Sequence, residues 1–230
     1  MRKIAVDYRK LRLRNITSPQ FRHLFWLLGW VGYFILYFLT ENLIPVEDCY
    51  PVWCPLDDVI SFNELFVIFY VGWYALIVWS LGYFLLFNVE NFKGLQKFII
   101  VTQAVAMICY ILFPTRQDLR PAEFPRENIL TWIMGIIYRL DTSTGVCPSL
   151  HVAYSVGIAS TWLKEKDASK WTRAFAVIFS MGVCVSVAFV KQHSVVDIFA
   201  AIPVCILAEV LVYGKSWWLP RLKRETNRTE

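Results

Sequence analysis

The chain has 230 residues, of which 57% are hydrophobic and only 18% charged, with 23 Lys and Arg against 18 Asp and Glu. A soluble domain of this size averages roughly 45–50% apolar and about 25% charged, so the surplus apolar residues exclude an ordinary water-soluble fold. The net charge of +5 suits nucleic acid in principle, but apolar blocks of spanning length point to a lipid bilayer as the partner, with no nucleic acid.

Residues 1–20 are basic and hold no apolar run of signal-peptide length. No cleavable signal is expected, and insertion falls to the first span. A helix rises about 1.5 Å per residue, so roughly 20 apolar residues cross a core about 30 Å thick. Six candidate spans follow, at 21–40, 64–87, 98–113, 148–163, 171–190 and 195–214. Backbone groups in lipid must be satisfied within their own segment, and no alternating strand pattern suggests a barrel. The expected fold class is therefore all-α, a polytopic membrane protein with six transmembrane helices forming one domain over 21–214 between basic flanks, 1–20 and 215–230.

After the first span, Cys49 and Cys54 flank a Pro-rich loop and can form a disulfide if that loop faces an oxidising compartment. Cys109, Cys184 and Cys205 lie in apolar runs and read as small buried hydrophobes. Residues 128–140 are apolar but too short to span, and are expected as an interfacial or re-entrant helix in a long outer loop. His23, beside Arg22, reads as an interfacial anchor.

Orientation follows from Lys and Arg. With both termini cytoplasmic, 18 of the 23 cations fall on the cytoplasmic side. The five exceptions are Arg116, Arg120, Arg126, Arg139 and Lys191, on the connection after the third span and the turn after the fifth. Cations held against so strong a bias call for a reason.

Two histidines share that outer side. His151 lies in Cys147-Pro148-Ser149-Leu150-His151, where Pro148 suits a first helical turn, Thr142, Ser143 and Thr144 can cap, and the helix N-terminus offers an anion site. His193 lies in Lys191-Gln192-His193-Ser194-Val195-Val196-Asp197. On a helix the four-residue spacing brings His193 and Asp197 together. A carboxylate on one ring nitrogen leaves the other free to attack. Arg116 and Arg120 supply guanidinium forks suited to phosphate, and Lys191 a point charge. Nucleophile, acid and cations together describe phosphoryl transfer; two His and one Asp can hold zinc, but the neighbouring cations disfavour a dication, so no metal and no cofactor are expected.

These residues resemble the type 2 phosphatidic acid phosphatase superfamily, whose motifs are Lys-x6-Arg-Pro, Pro-Ser-Gly-His and Ser-Arg-x5-His-x3-Asp. Arg120-Pro121, then Pro148, Ser149 and His151, then Ser186, His193 and Asp197 match in order and spacing. Phe113, Leu150 and Val187 stand where the motifs have Lys, Gly and Arg. The Pro-Ser-Leu-His form is more similar to the inositol phosphorylceramide synthase-like branch, which transfers a phospho-headgroup between lipid alcohols. The resemblance implies that His193 forms a phosphohistidine, that Asp197 orients it, and that His151 protonates the leaving oxygen. Arg120 and Ser149 would hold the phosphoryl oxygens, with Arg116 and Lys191 replacing the missing cations. The implied protein is a lipid-phosphate phosphatase or phosphotransferase with its active site on the extracytoplasmic side, and the compact size points to a bacterial inner membrane. The rival is a non-catalytic transporter or lipid-binding protein, for which Glu209 is the clear intramembrane candidate.

Overall fold

The structure is a computed structural model and describes residues 3–229, with side chains for 3–224. Met1, Arg2 and Glu230 lie outside the described residues, as does the side chain of Arg228, so two cations of the expected basic flanks have no described place. The chain is 73% helix and 2% strand, an all-α protein. Its helices are α1 (Leu28–Leu43), α2 (Pro55–Val59), α3 (Val67–Phe87), α4 (Val89–Leu112), α5 (Ile129–Leu140), α6 (Leu150–Lys164), α7 (Lys170–Phe189), α8 (Val195–Tyr213) and α9 (Leu219–Thr229).

Among the described residues, five helical segments are long and apolar enough to cross a membrane: Arg22–Leu43, Glu64–Phe87, Val89–Leu112, Lys170–Phe189 and Val195–Arg224. The fourth expected span is the helix α6, whose 15 residues fall short of that length. It is instead the most enclosed helix, packed on α4, α7 and α8, with Ile158, Thr161 and Trp162 fully buried. The third expected span begins nine residues early, at Val89, because the helix starts at the Asn88 N-cap, which accepts from Asn91 N at 3.1 Å. Its first turns carry Glu90, Asn91, Lys93, Gln96 and Lys97, polar enough to hide a helix from a hydropathy reading. Gln96 is fully buried and accepts from Trp30 Nε1 at 3.0 Å.

The long helices leave large apolar side chains outward, among them Phe34, Phe38, Ile178 and Leu211. Exposed carbon on that scale needs a bilayer rather than water. Inside, α3 and α7 approach through two reciprocal glycine contacts. Phe69 of α3 lies over Gly182, where a Cβ would meet its ring at 2.4 Å, and Phe179 of α7 lies over Gly72 at the same 2.4 Å. The two rings sit 5.2 Å apart. Small residues at such crossings let backbones close in. Gly182→Ala should therefore destabilise the fold by about 1–3 kcal/mol through overpacking, read as a lower thermal midpoint in detergent, while Gly32→Ala, with nothing within 4 Å, should leave the midpoint unchanged.

The basic N-terminal segment is tied down. Ala5 N donates to Leu86 O at 2.8 Å, and the Tyr8 hydroxyl lies 2.7 Å from His23 Nε2 and donates to Leu85 O. His23, expected as an interfacial anchor, is buried against Phe92 and Tyr8. Glu209 is not isolated either. It accepts from Lys164 Nζ at 2.6 Å, Ser160 Oγ at 2.7 Å and Trp218 Nε1 at 2.7 Å, a satisfied network at the end of the bundle away from both other histidines. All six cysteines are free, so Cys49 and Cys54 are not joined.

Two short strands organise the long connections. Residues Tyr50–Pro51 (β1) pair in parallel with Thr115–Arg116 (β2), and Gly145 N donates to Thr115 O at 2.8 Å. Gly145 has φ of 59°, a left-handed conformation that suits a residue without Cβ. These contacts draw the segments 44–63 and 114–149 over the starts of α6 and α8.

Candidate active site

The chain reverses between α7 and α8 in five residues, and that turn presents His193. Lys191 takes the left-handed conformation (φ 54°) just past the end of α7. Its N–H donates to Ala188 O at 3.2 Å, and Gln192 N donates to Val187 O at 3.0 Å. This is the Schellman pattern, which satisfies the last carbonyls of the helix. Glycine usually fills that position. Here the strain, about 1 kcal/mol or more, is offset by the Lys191 ammonium, which donates to Asp57 O at 2.7 Å. Burial lowers the Lys191 pKa, while Asp57 and Asp58 oppose the shift.

Asp197 meets His193 by a different route from the expected shared helix face. His193 precedes the helix. Ser194 is the N-cap of α8, and Asp197, three residues on, accepts from Ser194 N at 3.0 Å in a capping box. The same oxygen, Oδ2, lies 3.2 Å from His193 Nδ1. Asp197 is completely buried and His193 is 7% exposed. An ionised carboxylate only accepts, so His193 carries its proton on Nδ1 and leaves a lone pair on Nε2.

That lone pair faces His151, whose Nδ1 lies 3.3 Å from His193 Nε2. His151 is the second residue of α6. The helix begins two residues later than Pro148 suggests: Ser149 is the N-cap, its hydroxyl accepting from Val152 N, and its own N–H donates to Asp197 O at 3.2 Å. Ser149 therefore joins the two helix starts. Thr142 and Thr144, expected as caps, instead hydrogen-bond to Glu41. The His151 ring lies against Tyr70 (4.6 Å) and Trp73 (4.2 Å), and its Nε2 is buried without a hydrogen-bond partner among the described residues.

The histidine pair sits at one end of a cavity of about 460 Å³. Its polar end is formed by His151, His193, Gln192, Asp141, Thr142 and Thr144. Its walls are apolar and aromatic, from Trp30, Tyr33, Phe34 and Tyr37 of α1 to Tyr74, Ile77, Val78 and Leu81 of α3. From Tyr70 to Leu81 the helical rise gives the trough a length of about 16 Å.

The expected cations go elsewhere. Arg116 donates to Val46 O at 3.1 Å, Cys49 O at 3.3 Å and Asp118 at 3.1 Å, pinning the loop at β1. Lys191 is spent on Asp57. Arg120 comes nearest, stacked 4.8 Å over the Tyr138 ring. It donates to the carbonyls of Tyr138, Asp141 and Thr142 and, through Nε and Nη2, to Gln192 Oε1 at 3.1 and 2.7 Å. None of the three lines the cavity. A long side chain near a motif in sequence is free to leave in any direction, and here backbone carbonyls claimed all three.

Two carboxylates were not foreseen. Asp141 ends α5, lines the cavity and accepts from Gln192 Nε2 at 3.1 Å. Burial raises its pKa, opposed chiefly by the Arg120 guanidinium. Asp57, buried in α2, accepts from Ser194 Oγ at 2.5 Å, Val195 N at 2.8 Å and Cys54 N at 2.8 Å. Adjacency to His193 was the only sequence signal for Gln192; Asp57 and Asp141 had none. No group of three or more His, Cys, Asp or Glu side chains arranged to hold a metal ion occurs among the described residues. No family model, curated protein or solved structure matches the chain.

Proposed function

We propose that this chain is an integral membrane phosphatase or phosphotransferase that acts on a lipid phosphate ester through a phosphohistidine at His193, without a metal. The reading rests on one observation: His151 Nδ1 and His193 Nε2 lie 3.3 Å apart, backed by Asp197, at the head of an apolar trough. In the resting arrangement His151 Nδ1–H donates to His193 Nε2. A phosphoryl group arriving at the pair takes over both partners. The His193 Nε2 lone pair attacks phosphorus, the ester P–O bond breaks, and the leaving oxygen takes the proton from His151 Nδ1. Asp197 stabilises the imidazolium that results. In the second half-reaction water or a lipid alcohol returns a proton to His151 and attacks phosphorus, freeing His193. The N-terminus of α6 opens on the same point, and its dipole favours the anion. Hydrolysis and headgroup transfer, the latter of the inositol phosphorylceramide synthase type, differ only in that acceptor.

The cation bias supports a topology with both termini cytoplasmic and the histidine pair at the extracytoplasmic face. In that arrangement α6 is the fourth of six crossings, its rise of about 22 Å completed by its flanks, and α5 lies at the interface. The trough between α1 and α3 lets acyl or prenyl chains stay in lipid while the phosphate reaches the pair.

The test is a screen of lipid phosphates in excess EDTA, with and without an alcohol acceptor. Metal-independent phosphate release, or headgroup transfer when acceptor is added, is the expected result. No turnover of any phosphate ester, or turnover abolished by EDTA, would count against the reading.

A further inference from the structure

The cavity that leads to the histidine pair carries the wrong charge for a doubly charged phosphate monoester. Among the described residues that line it there is no Lys or Arg, and its one formally charged side chain outside the histidines is Asp141. Asp197 lies directly behind His193, and Glu41 lies behind Thr142 and Thr144. The cation that comes nearest is Arg120, and every one of its N–H directions already meets a carbonyl or Gln192. A dianion would enter against three carboxylates and one occupied guanidinium.

We infer that the cavity takes a zwitterionic phosphodiester lipid, with its phosphate at His151 and His193 and its headgroup ammonium between Asp141 and the tyrosines of α1 and α3. The inference rests on the reading of this cavity as a lipid-phosphate site. Such a ligand brings its own cation. Tyr33, Tyr37 and Tyr74 line the same end of the cavity, each within electrostatic range of Asp141. Aromatic faces attract ammonium groups most strongly when desolvated, and a carboxylate beside them completes an ammonium site. Asp141 is held for that role: Gln192 Nε2 donates to it at 3.1 Å, and Gln192 is in turn fixed by Arg120. The burial that raises its carboxyl pKa is relieved by a neighbouring positive charge. The aliphatic wall, Ile77, Val78 and Leu81 with Phe34, then receives a chain rather than a second polar group.

The experiment is calorimetric binding to the full-length protein in maltoside micelles. The ligands are dihexanoyl phosphatidylcholine and dihexanoyl phosphatidic acid, both used as monomers. The phosphatidylcholine should bind at least about ten-fold more tightly, and Asp141→Asn should erase that margin without weakening the phosphatidic acid. Phosphatidic acid binding as tightly as phosphatidylcholine, or more tightly, in the unsubstituted protein would overturn the inference, whatever the variant does. Binding is read without turnover, so the two readings separate. Zwitterion preference in a protein that turns nothing over would leave this site standing and remove the catalysis. Turnover of phosphatidic acid with no zwitterion preference would do the reverse.

Discussion

Replacing His193 with alanine should reduce phosphoryl turnover by at least about 10³-fold while leaving the thermal midpoint of the purified protein close to that of the parent. The magnitude follows from loss of a covalent nucleophile, which in comparable hydrolases leaves only the acceleration due to binding. The fold should tolerate the change because His193 is held by two side-chain contacts, to Asp197 and His151, and Asp197 keeps a second donor in Ser194 N. A labelled lipid phosphate should leave acid-labile label on the parent protein and none on the variant. His151→Ala offers the internal comparison. General acid catalysis is worth about 10²–10⁴-fold when the leaving oxygen needs a proton, so the loss should be large for a lipid alcohol and small for a p-nitrophenyl ester, which leaves unaided. Equal losses on both leaving groups would remove His151 as the acid. Unchanged turnover in His193→Ala would remove the nucleophile and the proposed chemistry with it.

The parts of this molecule that could be read from sequence are those in which a one-dimensional pattern has a local cause. Apolar runs mark α1, α3, α7 and α8 because lipid-facing and core-facing residues are both apolar there. The histidine pair was legible because each histidine lies beside a helix start, marked by Pro148 for α6 and by the His193–Asp197 spacing for α8; the caps themselves, Ser149 and Ser194, emerge only in the fold. The start of α4 was not, since a helix leaving the apolar zone keeps its hydrogen bonds while its side chains turn polar. The destinations of Arg116 and Lys191 were also hidden. Lys191 occupies a left-handed turn residue and Arg116 a strand in a two-residue sheet, and neither geometry has a repeating pattern that aims the side chain. Asp141 and Asp57 acquire their roles only when segments far apart in sequence close over one another; Asp57 reaches Val195 across 138 positions.

That last contact carries the second large effect. Asp57→Ala should lower kcat by about 10²-fold and leave KM nearly unchanged. Asp57 does not line the cavity, so substrate binding does not depend on it. What it holds is the turn on both sides of His193. Its backbone carbonyl accepts from Lys191, two residues before the histidine, and its carboxylate accepts from Ser194 and Val195, immediately after it. Removing the carboxylate leaves the buried Ser194 hydroxyl and the part-buried N–H groups of Val195 and Cys54 without that partner, at about 1–3 kcal/mol for each group left unsatisfied. The cheapest relief is for the start of α8 to shift until water reaches them. Such a shift moves His193 and Asp197 relative to His151, which is anchored on α6, and a displacement near 1 Å is enough for a loss of about 10²-fold. Asp57→Asn should fall between the two, because an amide keeps one acceptor but turns a donor toward either Val195 N or the shared Ser194 and Cys54 donors. Steady-state kinetics of both variants, read beside their thermal midpoints, check the argument. A lowered midpoint with kcat intact would make Asp57 a brace for the loop alone and detach it from the geometry of the histidine pair.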